Sequence, residues 1–481
     1  MNQQPSISAS SVAPHASGSS AQPTLERALG VWGAVSIVIG TVIGSGVFLV
    51  PSTMIRAVGS VHMLFVVWIV AGLLTLFGAL TYAELAAAMP EAGGEYVYLS
   101  AAYSPFWGYL YGWTQFWVAK SGSIATLAAG FYTYLTVFYP VLGNAWIVTP
   151  FHIGPGGSLL EIHYGQLVAI ALILILCGVN YLGVRAGGGF QIFVTAVKLS
   201  LLVAVIAIGL FSGHGDFSHF SGHVPAVVGV SGFFAAMVSA LWAYDGWNNV
   251  SMVSSEIQQP QRNLPRALIL GTLAVIAIYV LINVAYFYVL SPADVAASHR
   301  VAADMMSVVG GPIAVTGVTI AVLISILAAL NGSILSGSRV PYAMARDGLF
   351  FRTAAFVHPK FRSPGHAMLL LSLWSCIVVL SGWFDDLYNF VIFGSWILYL
   401  MTAVSVIVLR RKNPNLKRPY RVVGYPFVPV LFAAVAVLLL VNTLAARPRE
   451  SAMGLGMMGL GIPFYFFWKK RQVVTYSKKH S

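Results

Sequence analysis

Ile39-Gly40-Thr41-Val42-Ile43-Gly44-Ser45-Gly46-Val47-Phe48 places three glycines and two hydroxyl residues in the middle of an apolar segment long enough to cross a bilayer. Each glycine costs a helix roughly 1 kcal/mol relative to alanine. Backbone groups freed at membrane depth persist only where they line a cavity or bind something. The chemistry on offer is that of half-helix ends: free N–H groups hold an anionic group, and free carbonyls hold a cationic one. Leu241-Trp242-Ala243-Tyr244-Asp245-Gly246-Trp247-Asn248-Asn249 repeats the problem five hydrophobic segments later. It adds a carboxylate, Asp245, in an apolar setting where an ionisable group marks function by default. Lys120 and Lys198 are the two cations that also fall inside apolar segments.

These residues must be positioned by apolar runs of about 20 residues, the length that crosses a bilayer as a helix. Twelve such spans are expected, at about 30–50, 62–83, 104–134, 165–183, 190–211, 231–254, 267–290, 312–338, 367–382, 387–409, 426–445 and 452–468. Spans 1 and 6 are five crossings apart and so run in opposite directions. Paired interruptions at matching positions of two halves point to a secondary transporter with inverted repeats. The expected order is a disordered cytoplasmic tail (1–23), a first five-helix unit (24–211), an extracellular loop (212–230), a second, inverted unit (231–410), a linker with spans 11 and 12 (411–468), and a basic cytoplasmic tail (469–481). No fold is assigned to the Pro- and Gly-rich outer loop from Tyr139 to Tyr164.

Composition agrees. The 481 residues are 58% hydrophobic and 8% charged, against about 25% charged in soluble domains, so the chain reads as an integral membrane protein. With the N-terminus inside, 20 of the 26 Lys and Arg residues fall on the cytoplasmic side, four fall outside, and Lys120 and Lys198 lie within spans. The positive-inside rule therefore places both termini in the cytoplasm and the protein, multi-pass, in the cytoplasmic membrane. The net charge of +12 is a topology signal, and no nucleic-acid partner is expected. Met1 to Gln22 has no apolar core and fits no cleavable signal. Arg410-Arg411-Lys412 and Lys469-Lys470-Arg471 read as anchors to anionic headgroups of the lipid bilayer. Cys177 and Cys376 lie inside apolar runs, which leaves no disulfide framework, no disulfide-linked partner subunit and no cysteine metal site.

Several motifs in order resemble the amino acid-polyamine-organocation transporter superfamily, in its L-type amino acid transporter branch of the bacterial, stand-alone form. They are Ile43-Gly44-Ser45-Gly46-Val47-Phe48, Pro90-Glu91-Ala92-Gly93-Gly94-Glu95-Tyr96, Lys198, Ala243-Tyr244-Asp245-Gly246-Trp247-Asn248, Glu256 with Pro260-Gln261-Arg262-Asn263-Leu264-Pro265, and Asn331-Gly332-Ser333 with Ser338-Arg339 and Ala345-Arg346-Asp347-Gly348. The resemblance covers about residues 24 to 470. It implies an all-α membrane protein with twelve transmembrane helices, a leucine-transporter-like 5+5 inverted repeat, discontinuous helices 1 and 6, and a substrate held near the midplane between them.

On that resemblance, the Ser45 and Gly46 N–H groups and the Ser45 hydroxyl take the carboxylate of an amino acid, with Gly44 and Gly46 letting the backbone approach. The carbonyls of Val42, Trp242, Ala243 and Asp245 take the ammonium, at a break that Gly246 permits. For the glycines, close helix packing is the competing reading. Trp242 resembles the gating aromatic; a packing or interface role competes, and Trp247 stands open between the two. Asp245 departs from the family's commonest pattern. It has four readings: attracting the ammonium, pairing with Lys198 or Lys120, taking up a proton, or capping a half-helix. Lys198 stands where sodium-coupled relatives bind their ion, so its ammonium replaces sodium and holds spans 1, 5 and 8 together; snorkelling is the alternative. Lys120 reads as a structural partner. Asn331 and Gly332 shape the pocket. Glu256, with Arg262, Arg266 and Arg339, is either an inner gate or a set of solvated ends.

Gly229-Val230-Ser231-Gly232 has the spacing of an intramembrane protease serine, but no span interior holds a His to act as its base, and no H-E-x-x-H motif occurs. No enzyme, cofactor or metal is expected. Channels build filters from repeated subunits, whereas two broken helices suit one small solute. The expected function is sodium-independent exchange of L-amino acids, neutral ones, by alternating access. The alternatives are a proton-coupled symporter of amino acids or amines and, in a different class, a nutrient-sensing receptor.

Overall fold

A computed structural model describes residues 24–148, 161–226, 229–382 and 384–480; the expected N-terminal tail lies outside them. The architecture is nearly all-helical. Nine segments among the described residues are long and apolar enough to cross a membrane, counting one bent pair as a single span. Residues 105–135, Val230–Tyr244 and Gly365–Ser381 stand where spans 3, 6 and 9 were expected, so the arrangement is compatible with twelve. Among the described residues, one two-stranded antiparallel pair departs from helix, Ala145–Val148 with Glu161–His163, in the outer loop. The all-α expectation for the membrane-spanning part holds, and the hairpin lies in the loop to which no fold was assigned: Trp146, Ile147 and Val148 form a short run of strand formers that is exposed and pairs only locally.

Both expected breaks are present. Span 1 is Val31–Val42 followed by Gly46–Val58, bent by 45° at the interruption. Span 6 is Val230–Tyr244, then an irregular stretch, then the short helix Asn249–Met252. Span 3 carries a further irregularity that periodicity did not reveal, a π-helical turn at Gln115–Ala119 immediately before Lys120. Such turns insert one residue into the helical register and re-aim the side chains of the next turn. Span 5 begins at Val184, earlier than expected, which puts Lys198 near the middle of a 28-residue helix. The last helix runs from Gly461 to His480, so the expected basic tail continues a helix.

Spans 1, 2, 6 and 7 surround one buried cluster, and spans 3, 4 and 9 with the end of span 8 surround a second. In the first, Trp68, Tyr244 and Tyr279 meet edge-on or tilted with centroids 5.0 to 5.7 Å apart, a favourable geometry for aromatic quadrupoles. One cationic run is corrected. Arg410 forms a two-pronged bond to Glu84 at 2.9 and 2.6 Å and stacks 3.7 Å from the Tyr425 ring. Lys412 donates to the Ala102 carbonyl at 3.0 Å. Arg410 therefore clamps span 10 to the protein instead of anchoring it to headgroups, while Lys412 stays exposed.

Candidate functional site

The two breaks face one another. The Thr41 hydroxyl donates to the Gly246 carbonyl at 2.9 Å, and a Cβ built on Gly46 would stand 3.1 Å from both the Cα and Cβ of Ala243. Gly246 has φ +104°, and its missing Cβ would lie 3.1 Å from the Thr41 carbonyl oxygen. Only glycine combines that dihedral with that approach. In span 1 the N–H groups of Ser45 and Gly46 and the Ser45 hydroxyl have no protein partner among the described residues. They open the half-helix Gly46–Val58 and form a ready cradle for an anion.

The carbonyl side is more occupied than expected. The Tyr279 hydroxyl of span 7 lies 3.1 Å from the Val42 carbonyl and 2.8 Å from that of Ala243. Val42 also accepts from Gly44 N–H at 2.9 Å, and Trp242 accepts from Asp245 N–H at 3.1 Å. The Asp245 carbonyl alone among the four has no protein donor among the described residues.

Two open-sided cavities meet at this point. Trp242, Lys120, Ser123, Asp245 and Asn249 line both. The span 1 break with Gly44, Ser45 and Gly46 lines the first; Gln115, Asn248, Trp396 and Tyr399 line the second. Trp242 thus stands between the anion cradle and a second chamber. Asp245 is exposed to this space and accepts from Tyr399 at 2.9 Å. Lys120 donates to Asn249 at 2.7 Å, and no ion pair within 4 Å joins it to Asp245 among the described residues. Asp245 does not meet Lys198, which faces the other side of span 1.

Lys198 is fully buried. Its ammonium donates to the Gly40 carbonyl at 2.9 Å and the Ile43 carbonyl at 2.6 Å. Ser325 of span 8 donates to the same Ile43 carbonyl at 2.9 Å. A cation and a hydroxyl therefore satisfy the carbonyls that the break releases. Snorkelling is excluded by this geometry.

Other expected residues lie apart from the cavity. Gly332 faces Thr41 and Gln191, and a Cβ there would sit 2.5 Å from the Thr41 methyl, so it serves close packing and does not widen the pocket. Asn331 bonds Gln191 and Asn180 at 2.7 Å each, in a polar chain between spans 4, 5 and 8. Ser333, the third residue of that motif, does line the first cavity. Trp247 packs on Tyr82, ring centroids 4.6 Å apart, and is a packing aromatic. Glu256 and Arg339 are both fully buried and joined by two bonds of 2.8 Å, which removes the solvated-end reading for this pair.

Sequence reasoning gave no role to Tyr279, Thr41, Ser325 or Glu95. A tyrosine or serine in an apolar span carries no spacing signal that tells which distant carbonyl it meets. Among the described residues, no group of three or more His, Cys, Asp or Glu side chains is placed to hold a metal ion.

The sequence profile of the amino acid permease family matches residues 29–465. The serine/threonine exchanger SteT of Bacillus subtilis (strain 168) is 33% identical over 93% of this chain and 98% of its own. The b(0,+)-type amino acid transporter 1 of Homo sapiens is 31% identical over 92% and 88%. The large neutral amino acids transporter small subunit 2 of Oryctolagus cuniculus is 31% identical over 95% and 84%.

Proposed function

The chain belongs to the amino acid permease family, in the L-type branch of the amino acid-polyamine-organocation superfamily, and from that premise we propose that it is a secondary carrier exchanging L-amino acids across the cell membrane without sodium. The observation that carries this reading is the unpaired N–H pair at Ser45 and Gly46, set beside the span 6 break and open to a cavity. A carboxylate seats on those donors. The ammonium lies toward the Asp245 carbonyl and the exposed Asp245 carboxylate, and the side chain points past Trp242 into the second chamber.

Neutral amino acids are the proposed substrates. SteT is named a serine/threonine exchanger and the rabbit relative a large neutral amino acids transporter, and Asp245 is the one carboxylate among the described residues that lines the two cavities, with no acidic cluster to fix a cationic side chain. Spans 1 to 5 and 6 to 10 act as the two inverted units, with both termini cytoplasmic. The buried Glu256–Arg339 pair then closes the cytoplasmic end in this state.

Liposomes loaded with one amino acid and challenged with the twenty common ones test this directly. Saturable flux stimulated by the internal amino acid is expected. Polyamine or nucleobase flux with no amino acid flux would refute the assignment. Choline in place of sodium should leave the initial rate unchanged at constant pH, because Lys198 already supplies the cation at the span 1 carbonyls; a large loss would remove that role.

Trp242→Ala separates lid from floor. The N–H cradle is untouched, so calorimetric affinity should change by less than about threefold, while exchange slows by about tenfold or more, a barrier increase of about 1.4 kcal/mol. An exchange rate equal to the wild type would end the lid assignment.

A further inference from the structure

Three carboxylates are fully buried among the described residues: Glu84, Glu95 and Glu256. Two are neutralised. Glu84 meets the guanidinium of Arg410 and lies 3.4 Å from that of Arg418, and Glu256 meets Arg339. Glu95 has no cation within 4 Å among the described residues. Its partners are neutral donors, the Tyr111 hydroxyl at 2.9 Å and the Asn248 amide. It opens the eight-residue helix Glu95–Ala102, but a helix end supplies only a fraction of a unit charge. A buried charge without a full counter-charge is costly.

The groups around Glu95 do not repair this. Tyr82 of span 2, Tyr98 of its own helix, Tyr111 and Lys120 of span 3 and Tyr399 of span 10 are the titratable groups that interact with it electrostatically, and Asp245 of span 6 joins the set through Lys120 and Tyr399. Lys120 is the single cation in this set and interacts with Asp245 and Glu95 together. One ammonium against two carboxylates leaves the cluster one positive charge short. Asn248 and Asn249, adjacent on the broken span, link the two ends: Asn248 bonds Glu95, and Asn249 bonds Lys120 at the cavity wall.

Glu95 is fully buried and lines neither chamber, whereas Asp245 and Lys120 line both, so with the cavity open water screens the Asp245 end of the cluster. Closing Trp242 over a substrate expels that water, and a zwitterion brings no net charge to replace it. We propose that Glu95 is a proton-binding site of the carrier, taking one proton from solvent onto a carboxylate oxygen as the cavity closes over a neutral amino acid and returning it when the cavity reopens. Energetically, substrate and proton then favour each other's binding. The inference rests on the transport reading above and adds the proton as a second ligand.

The test uses the full chain in detergent, weakly buffered with a pH-indicator dye. L-serine, L-leucine and L-glutamine are titrated first by calorimetry, and one that binds is used at saturation. Wild type should take up as much as one proton per bound amino acid, and affinity should tighten by up to about tenfold per pH unit as pH falls through the titration. In Glu95→Gln both effects should vanish. If that variant does not fold, Tyr111→Phe serves: losing a donor to the carboxylate favours its protonated form, so proton uptake should persist to higher pH. Binding without proton uptake at any value across about pH 5 to 9 overturns the inference alone. So does uptake retained in Glu95→Gln and lost in Asp245→Asn, or an unmoved curve in folded Tyr111→Phe. If none of the three amino acids binds, the transport reading for neutral substrates falls and this one with it.

Discussion

Arg339→Leu should cost the fold about 3–5 kcal/mol, the usual penalty for leaving one partner of a buried ion pair without its counter-charge. Glu256 would keep its carboxylate in a fully buried position with both guanidinium bonds gone. Arg339 also donates to the Leu335 carbonyl at 2.5 Å and to the Ser338 hydroxyl at 2.9 Å, so span 8 loses its own terminal contacts as well. The pair ties the end of span 8 to the segment after span 6, and Leu29, before span 1, is bound to the same segment through backbone bonds of 3.0 and 2.8 Å to Glu256 and Gln258. A large fall in the melting temperature of the detergent-solubilised protein is expected for the single variant. The double variant Arg339→Leu, Glu256→Leu should recover most of that loss, since replacing both charges removes the orphan. A single variant as stable as wild type would show that Glu256 finds another partner.

Gly46→Val should weaken amino acid binding by about 1–3 kcal/mol, from lost hydrogen bonds to the carboxylate and from overpacking. The structure sharpens the reason. The first added carbon would already lie 3.1 Å from the Ala243 Cα, a backbone atom with little room to yield, and 3.4 Å from the Trp242 ring. Both a branched side chain and the displaced break would therefore disturb the Ser45 and Gly46 donors. Gly44 differs: a Cβ there meets only Leu127 and Ala329 at ordinary contact distances, 3.7 and 3.9 Å. Gly44→Ala should bind within about threefold of wild type, a difference below about 1 kcal/mol. Calorimetry on folded protein decides the pair. Normal binding by Gly46→Val would remove that residue from the site, and a Gly44→Ala defect as large as Gly46→Val would move the critical approach to the other glycine.

The breaks themselves were legible because glycine, serine and aspartate conflict with an apolar helix on local grounds alone. Ile43 to Ser45 and Asp245 to Asn248 are irregular where composition said they would be, and the interior positions of Lys120 and Lys198 followed from the same bookkeeping of charge against apolar length. What each polar group meets was not legible. Lys198 and Asp245 both read as intramembrane charges and as possible partners, yet the helix packing sends Lys198 to the Gly40 and Ile43 carbonyls and Asp245 to the cavity beside Tyr399. Gly332 read as pocket space and proved to be a helix contact, because which face of span 8 looks at Thr41 depends on how the helices are rotated against one another. Arg410 read as a lipid anchor because Glu84 is 326 residues away in sequence. Local covalent and conformational rules operate within a turn or two of helix, so one chain suffices to show where a helix must break and where a charge is misplaced. Partner choice is a property of contacts between segments far apart in sequence, and only the packed structure decides it.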